Sequence, residues 1–181
     1  GTTNTVYTDT NVTNGTWYYY VVTAIDAVGN ESALSNEASA LPHVNIDWAN
    51  LQWPYEITQT ISITPTENIY GQVYIAGVTA DPGATPGLLA QVGFGFTTTA
   101  PVSWTHWVNA AFNGQSNDND EFKAQLRPEA VGEYYYVYRY STTNGRDWFY
   151  ADRSGPISAS SVVTPGLLHV IPSSDTTPPI S

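Results

Sequence analysis

The stretch Glu133-Tyr134-Tyr135-Tyr136-Val137-Tyr138-Arg139-Tyr140, followed closely by Thr143-Asn144-Gly145-Arg146, decides the fold class. Tyr134, Tyr136, Tyr138 and Tyr140 recur at every second position, with Tyr135, Val137 and Arg139 between them. Side chains alternate across a strand with a period of two, so the two rows point to opposite faces and only one can be core. Asn144-Gly145 supplies the positive φ of a tight primed turn, which predicts a hairpin onto a strand at Asp147–Tyr150.

Outward from this hairpin the same pattern continues in both directions. Short runs of alternating apolar residues stand between Gly, Pro, Asn and Asp turns. They predict strands near Val44–Trp53, Ile57–Thr64, Tyr70–Ile75, Leu88–Phe96, Trp107–Phe112, Glu121–Arg127 and Leu167–Ile171. Pro82, Gly83, Pro86 and Gly87 mark a long loop around Asp81–Gly87. No stretch keeps helical spacing, so the expected fold is all-β, with antiparallel sheets packed as a β-sandwich. Ahead of this body, Val6–Asp9, Trp17–Asp26 and Ser35–Ala40 read as strands of a separate unit. Behind it, Asp175-Thr176-Thr177-Pro178-Pro179 reads as a Pro-rich extended linker. The expected organisation is 1–42, 43–172 and 173–181, a piece of a longer chain.

Composition narrows the function. Hydrophobic residues are 41% of the 181, enough for a core, whereas charged residues are 12%, so Thr, Ser, Asn and Gln must cover the surface. Sixteen acids against five Lys and Arg give a net charge of -11, which repels phosphate backbones and anionic membranes. With no Cys there is no disulfide and no thiolate metal site. No apolar run approaches the ~20 residues of a helical membrane span. His43, His106 and His169 lack ligand spacing, and no G-x-S-x-G elbow, phosphate loop or H-E-x-x-H occurs. The acids mostly sit in turn-like contexts rather than as a catalytic pair, so no catalysis is expected.

What remains is a surplus of flat rings. Trp48, Trp53, Trp104, Trp107 and Trp148, with Tyr70, Tyr74, Tyr135 and Tyr150, exceed what one small core holds. The C–H face of a neutral sugar packs on such rings while its hydroxyls meet nearby polar groups. If Val108, Ala110 and Phe112 face inward, Trp107 and Asn109 point outward. Trp148 and Tyr150 share a face beside the Asn144-Gly145 turn. The candidate carbohydrate-binding residues are therefore Trp107, Trp148, Tyr150, Asn109, Trp53 and Tyr74. A second candidate is a Ca²⁺ site at Asp118, Asp120 and Glu121, within the oxygen-rich run Asn117–Glu121. A solvated acidic turn is the alternative.

Two resemblances extend this reading. Asn14-Gly15-Thr16-Trp17-Tyr18-Tyr19-Tyr20-Val21-Val22-Thr23-Ala24-Ile25-Asp26 and the turn at Val28–Glu31 resemble the last strands of a fibronectin type III domain. That resemblance implies a hydrogen bond from Tyr18 back to the chain and, since the family's first strands have no counterpart here, an incomplete sandwich. Trp48-Ala49-Asn50-Leu51-Gln52-Trp53-Pro54, Tyr70–Thr79, Pro82–Gly95, Asn119-Asp120-Glu121-Phe122 and Tyr136–Asp152 together resemble an accessory module of secreted bacterial amylopullulanases. It implies an immunoglobulin-like or carbohydrate-binding-module-like sandwich, other domains of the same chain as neighbours, and a secreted or cell-surface bacterial location. Its parents cleave α-1,4 and α-1,6 links in starch and pullulan with a separate catalytic barrel. The expected function is non-catalytic binding of α-glucan, and the alternative is a structural spacer with no ligand.

Overall fold

The computed structural model describes residues 6–61, 64–98 and 100–173. Its strands, in chain order, are β1 (Tyr18–Tyr20), β2 (Ala38–Ala40), β3 (Trp48–Trp53), β4 (Glu56–Thr60), β5 (Ile69–Tyr74), β6 (Leu89–Gly95), β7 (His106–Asn109), β8 (Ala111–Ser116), β9 (Asn119–Ala124), β10 (Gly132–Ser141), β11 (Phe149–Asp152), β12 (Gly155–Ile157) and β13 (Gly166–Ile171). A single short 3₁₀ turn, Pro101–Ser103, interrupts them among the described residues. The architecture is all-β, as the alternation predicts.

The tyrosine strand β10 organises the larger sheet. One of its edges pairs with β6 over Tyr135–Ser141. The other edge is shared, with β13 on Gly132–Tyr136 and β11 on Tyr138–Tyr140. β7 extends the sheet beyond β6, β12 extends it beyond β11, and β4 joins β13 in parallel. The opposing sheet runs β3-β5-β9-β8.

Of the two rows on β10, the even-numbered one is core. Tyr136, Tyr138 and Tyr140 are fully buried and reach across to the smaller sheet. A buried phenol must place its hydroxyl hydrogen on an acceptor. Tyr136 Oη donates to Pro54 O at 2.8 Å, Tyr138 Oη to Ile69 O at 2.6 Å, and Tyr140 Oη to Asn50 O at 3.3 Å. Burial pushes all three hydroxyl pKa values up, so they stay protonated and keep donating. The rings need room, and Gly71 and Gly166 provide it: a β-carbon at either would press into a tyrosine ring. Leu51, Ile69, Val73, Val92, Phe122, Leu126 and Leu168 complete the core.

Three expected elements come out differently. The single strand read at Trp107–Phe112 is two, in opposite sheets, with Ala110 at the crossover donating to Ala90 O. A change of sheet leaves no trace in a run of alternating residues. Val6–Asp9 is not a strand, and Trp17–Asp26 shrinks to Tyr18–Tyr20 plus a bridge between Ile25 and Glu31. A strand needs a partner, and β1 finds only the three residues of β2. The Tyr18 hydroxyl does accept the Thr13 N–H at 2.8 Å, a bond back to the chain. Of the linker expected at 173–181, all but Ser173 lies outside the described residues. At the Thr143–Arg146 turn the outcome matches the expectation, with φ of 54° at Asn144 and 80° at Gly145.

The ribbon formed by β1 and β2 rests on this turn. Arg146 stacks on Trp17 at 4.6 Å, and Gly15 lies so close to Asn144 that an added β-carbon would meet it at 3.5 Å. Tyr20 and Ala40 of the ribbon, with Tyr7, Val22 and Pro42 beside it, line an open hollow.

The loop after β12 is tied down by one carboxylate. Buried Asp152 accepts bonds from Ser154 N and Oγ, Val163 N, and Thr164 N and Oγ1. Burial works against the charge, but the bonds from Ser154, Thr164 and Val163 outweigh it and hold the carboxyl below the usual carboxylate range. A depressed carboxyl adds stability above its unfolded pKa of ~3.9, and that stability is lost as pH falls through the folded value. We expect Asp152→Asn to cost roughly 2 kcal/mol at pH 7. Its melting temperature should converge on that of the parent as the pH drops below ~4. A gap between the two that stays constant down to pH 2 would remove the charged-acceptor role.

Candidate functional site

The outer face of the larger sheet carries the odd-numbered row of β10 and its neighbours. Register places Gln91 beside Asn109 and Arg139, and Gly93 beside Trp107 and Val137. The Arg139 guanidinium lies between two indoles, 3.8 Å from the Trp107 ring centre and 4.1 Å from that of Trp148. Its Nε and Nη2 both donate to Gln91 Oε1, and Gln91 Nε2 donates to Asn109 Oδ1 at 2.7 Å. A planar, weakly hydrated cation stacks on indole faces in this way. Burial lowers its pKa somewhat and the Tyr150 side chain partly restores it.

This arrangement revises the roles read from the sequence. Trp107 and Asn109 do lie on the outer face, but Trp107 is half-buried against Gly93 and turns a face to Arg139. Trp148 is likewise half-buried with a face on the same guanidinium. Tyr150 keeps only 4% of its surface exposed and offers no open ring. Trp104, Val137 and Val162 form a second small core here, sealed by hydrogen bonds between the 98–102 and 159–162 segments. A sheet face that reads as a platform in the sequence is covered by loops. Tyr74, at the end of β5, is half-buried beside Trp48.

Trp53 behaves differently. Parity with Ala49 and Leu51 would turn it inward. A register shift between Leu51 and Trp53 breaks that parity and pairs Trp53 with Tyr70, on the outer side of the smaller sheet. Such bulges re-aim a side chain. The result is an indole 55% exposed. Tyr55 stands beside it, 44% exposed, with ring centres 5.5 Å apart and planes at 68°. Arg153 stacks on Tyr55, its guanidinium 4.1 Å from the ring centre. Ser154 and Thr164 line a shallow hollow with Tyr55 and Arg153. Tyr55 was not singled out in the sequence, although an aromatic two residues after Trp53 and directly after a proline was the available signal.

The proposed Ca²⁺ ligands do not converge. Asp120 and Glu121 are neighbours on β9 and so face opposite sides of the sheet, while Asp118 lies exposed in the turn before it. Asp120 is fully buried and takes the Thr85 N–H on Oδ2. Glu121 is occupied by Asn113 and Gln72. Among the described residues no three acidic or histidine side chains form a metal-binding group. None of their helices is long and apolar enough to cross a membrane.

No family model matches the chain. Segments of larger enzymes do. An amylopullulanase of Thermoanaerobacter thermohydrosulfuricus is 36% identical over 166 residues, 82% of this chain and 11% of that enzyme. One of Thermoanaerobacterium thermosulfurigenes is 34% identical over 163 residues, 81% of this chain and 9% of the enzyme. The chain is homologous to a segment of amylopullulanases. The amylopullulanase of Thermoanaerobacterium saccharolyticum agrees, at 34% identity over 83% of this chain and 13% of that enzyme. The chain thus spans about a tenth of the length of the amylopullulanases it matches.

Proposed function

We propose that this chain is a non-catalytic module of an extracellular polysaccharide-degrading enzyme and that it binds α-glucan at Trp53 and Tyr55. The angled, half-exposed pair is the observation that carries the reading. A large indole left in water costs stability unless something covers it, and a register shift is spent on putting it there. An α-1,4-glucan bends from one sugar to the next, so rings set at an angle follow it better than coplanar ones. Beside Tyr55, Arg153 can donate to sugar hydroxyls, and the Ser154 and Thr164 hydroxyl oxygens, whose hydrogens go to Asp152, can accept from them. The amylopullulanase relatives make starch-like chains the polymer of choice. On the same reading 1–42 is the C-terminal half of a fibronectin type III unit, and 43–172 is the binding module.

Affinity gel electrophoresis with starch, pullulan and a β-linked glucan tests this. The chain should be retarded by the α-glucans alone, and Trp53→Ala should weaken retardation by about tenfold, or ~1.4 kcal/mol. Unchanged mobility in every gel would leave the spacer reading, in which no sugar moves the melting temperature. Retardation of Trp53→Ala equal to that of the parent would place the platform elsewhere.

A further inference from the structure

A cleft of about 530 Å³ opens at the edge of the larger sheet, where among the described residues β7 pairs with no strand beyond β6. Its volume falls within the ~300–1,000 Å³ of small-ligand sites. The floor is aromatic. Phe96 lies one residue past the end of β6, on the inward side by parity, but the opposing sheet does not extend to cover it. It remains 67% exposed, held by Tyr134 with ring centres 4.5 Å apart. His106 is exposed and stacked on Phe94 at 4.9 Å and 19°. The rim is polar. Gln125, Arg127 and Glu129 line it from the connection between β9 and β10, and all three are exposed. Gln125, which lines the cleft, donates an amide N–H to Thr66 O, and among the described residues no group donates to its carbonyl oxygen. Among the described residues neither Arg127 nor Glu129 has an ion-pair partner.

We infer that this cleft is a second carbohydrate subsite, distinct from the Trp53 surface, for one or two pyranose units of a neutral glucan. The C–H face of a sugar would lie on Phe96 and the His106 ring. Its hydroxyls would meet the Arg127 guanidinium, the Glu129 carboxylate and the Gln125 carbonyl, so donors and acceptors are both supplied. A polyanion is disfavoured by Glu129 and the overall charge of -11. The cleft and the Trp53 corner belong to opposite ends of the strand order, β7 on one side of β10 and β4 and β12 on the other. A module built this way holds two stretches of glucan at once, and its grip on polymer exceeds its grip on short sugars. This inference rests on the reading of the chain as a glucan binder.

Calorimetric titration with maltoheptaose decides it. The parent chain should take two equivalents. Phe96→Ala and, separately, Arg127→Ala should each leave one, with the lost site weakened at least tenfold. Trp53→Ala should also leave one, which Phe96→Ala then removes. Arg127 is exposed and unpaired, so its variant tests the cleft even if Phe96→Ala disturbs Tyr134. One equivalent in the parent, lost in Trp53→Ala and kept in Phe96→Ala, overturns the second subsite and leaves the first reading standing. One equivalent lost only with Phe96 or Arg127 supports the cleft and overturns the Trp53 surface. No heat with the parent overturns both.

Discussion

Tyr138→Ala should cost about 3–5 kcal/mol, the upper range for emptying an aromatic site in a core. The ring is fully buried and stacked on Tyr140 at 5.6 Å and 17°. Little can collapse into the space, because the Tyr136 and Tyr140 hydroxyls are tethered, to Pro54 O just past β3 and to Asn50 O on β3. Tyr138→Phe separates ring from hydroxyl. It keeps the volume and leaves Ile69 O, bonded at 2.6 Å, and Phe122 O, at 3.3 Å, without this donor. That should cost about 1–2 kcal/mol. Urea denaturation followed by indole fluorescence gives both values. At ~2–4 °C per kcal/mol the alanine variant should melt roughly 6–20 °C below the parent. If Tyr138→Ala stayed within 1 kcal/mol of the parent, the tyrosine row would not be the core.

Gly166→Ala should be comparably harmful although it adds a single methyl group. The new β-carbon would lie 2.2 Å from Tyr136 Cε2 and Cζ. Tyr136 cannot step aside, since it is fully buried and its hydroxyl is held by Pro54 O. Overpacking costs typically ~1–3 kcal/mol, and a rigid, tethered ring puts this site at or above the top of that range. Gly93→Ala makes a useful contrast. Its β-carbon would meet Trp107 Cε3 at 2.3 Å, but that indole lies on the outer face under Arg139, with its N–H on Trp104 O, and is not enclosed between the two sheets as Tyr136 is. Gly114→Ala, with nothing within 4 Å, should be close to neutral. Thermal melts of the three variants should rank Gly166 worst and Gly114 mildest. A Gly166→Ala protein as stable as Gly114→Ala would remove the close approach of Tyr136 to β13.

The tyrosine rings and the indoles have different fates for one physical reason. A tyrosine on the inner row of a central strand has a facing sheet to donate to, so it can be buried whole. The indoles sit at edges and strand ends, where cover depends on which loop folds back. Trp104 is covered by the 159–162 segment, Trp107 and Trp148 are occupied by Arg139, and Trp53 is left open.

The amino-acid sequence by itself determined the all-β class, the two opposite-facing rows of β10 without deciding which is inner, the Asn144-Gly145 turn and the excess of rings. These follow from periods of two and from local φ preferences, which neighbouring residues carry. Tertiary structure alone decided that Trp107–Asn109 and Ala111–Ser116 belong to different sheets. It also decided that a register shift turns Trp53 outward, that Tyr150 is buried, that Asp120 and Glu121 diverge, and that Phe96 and Arg127 border one cleft. Each of those outcomes depends on which strand lies opposite and where its partner ends, and no local pattern of residues encodes the length of a neighbour.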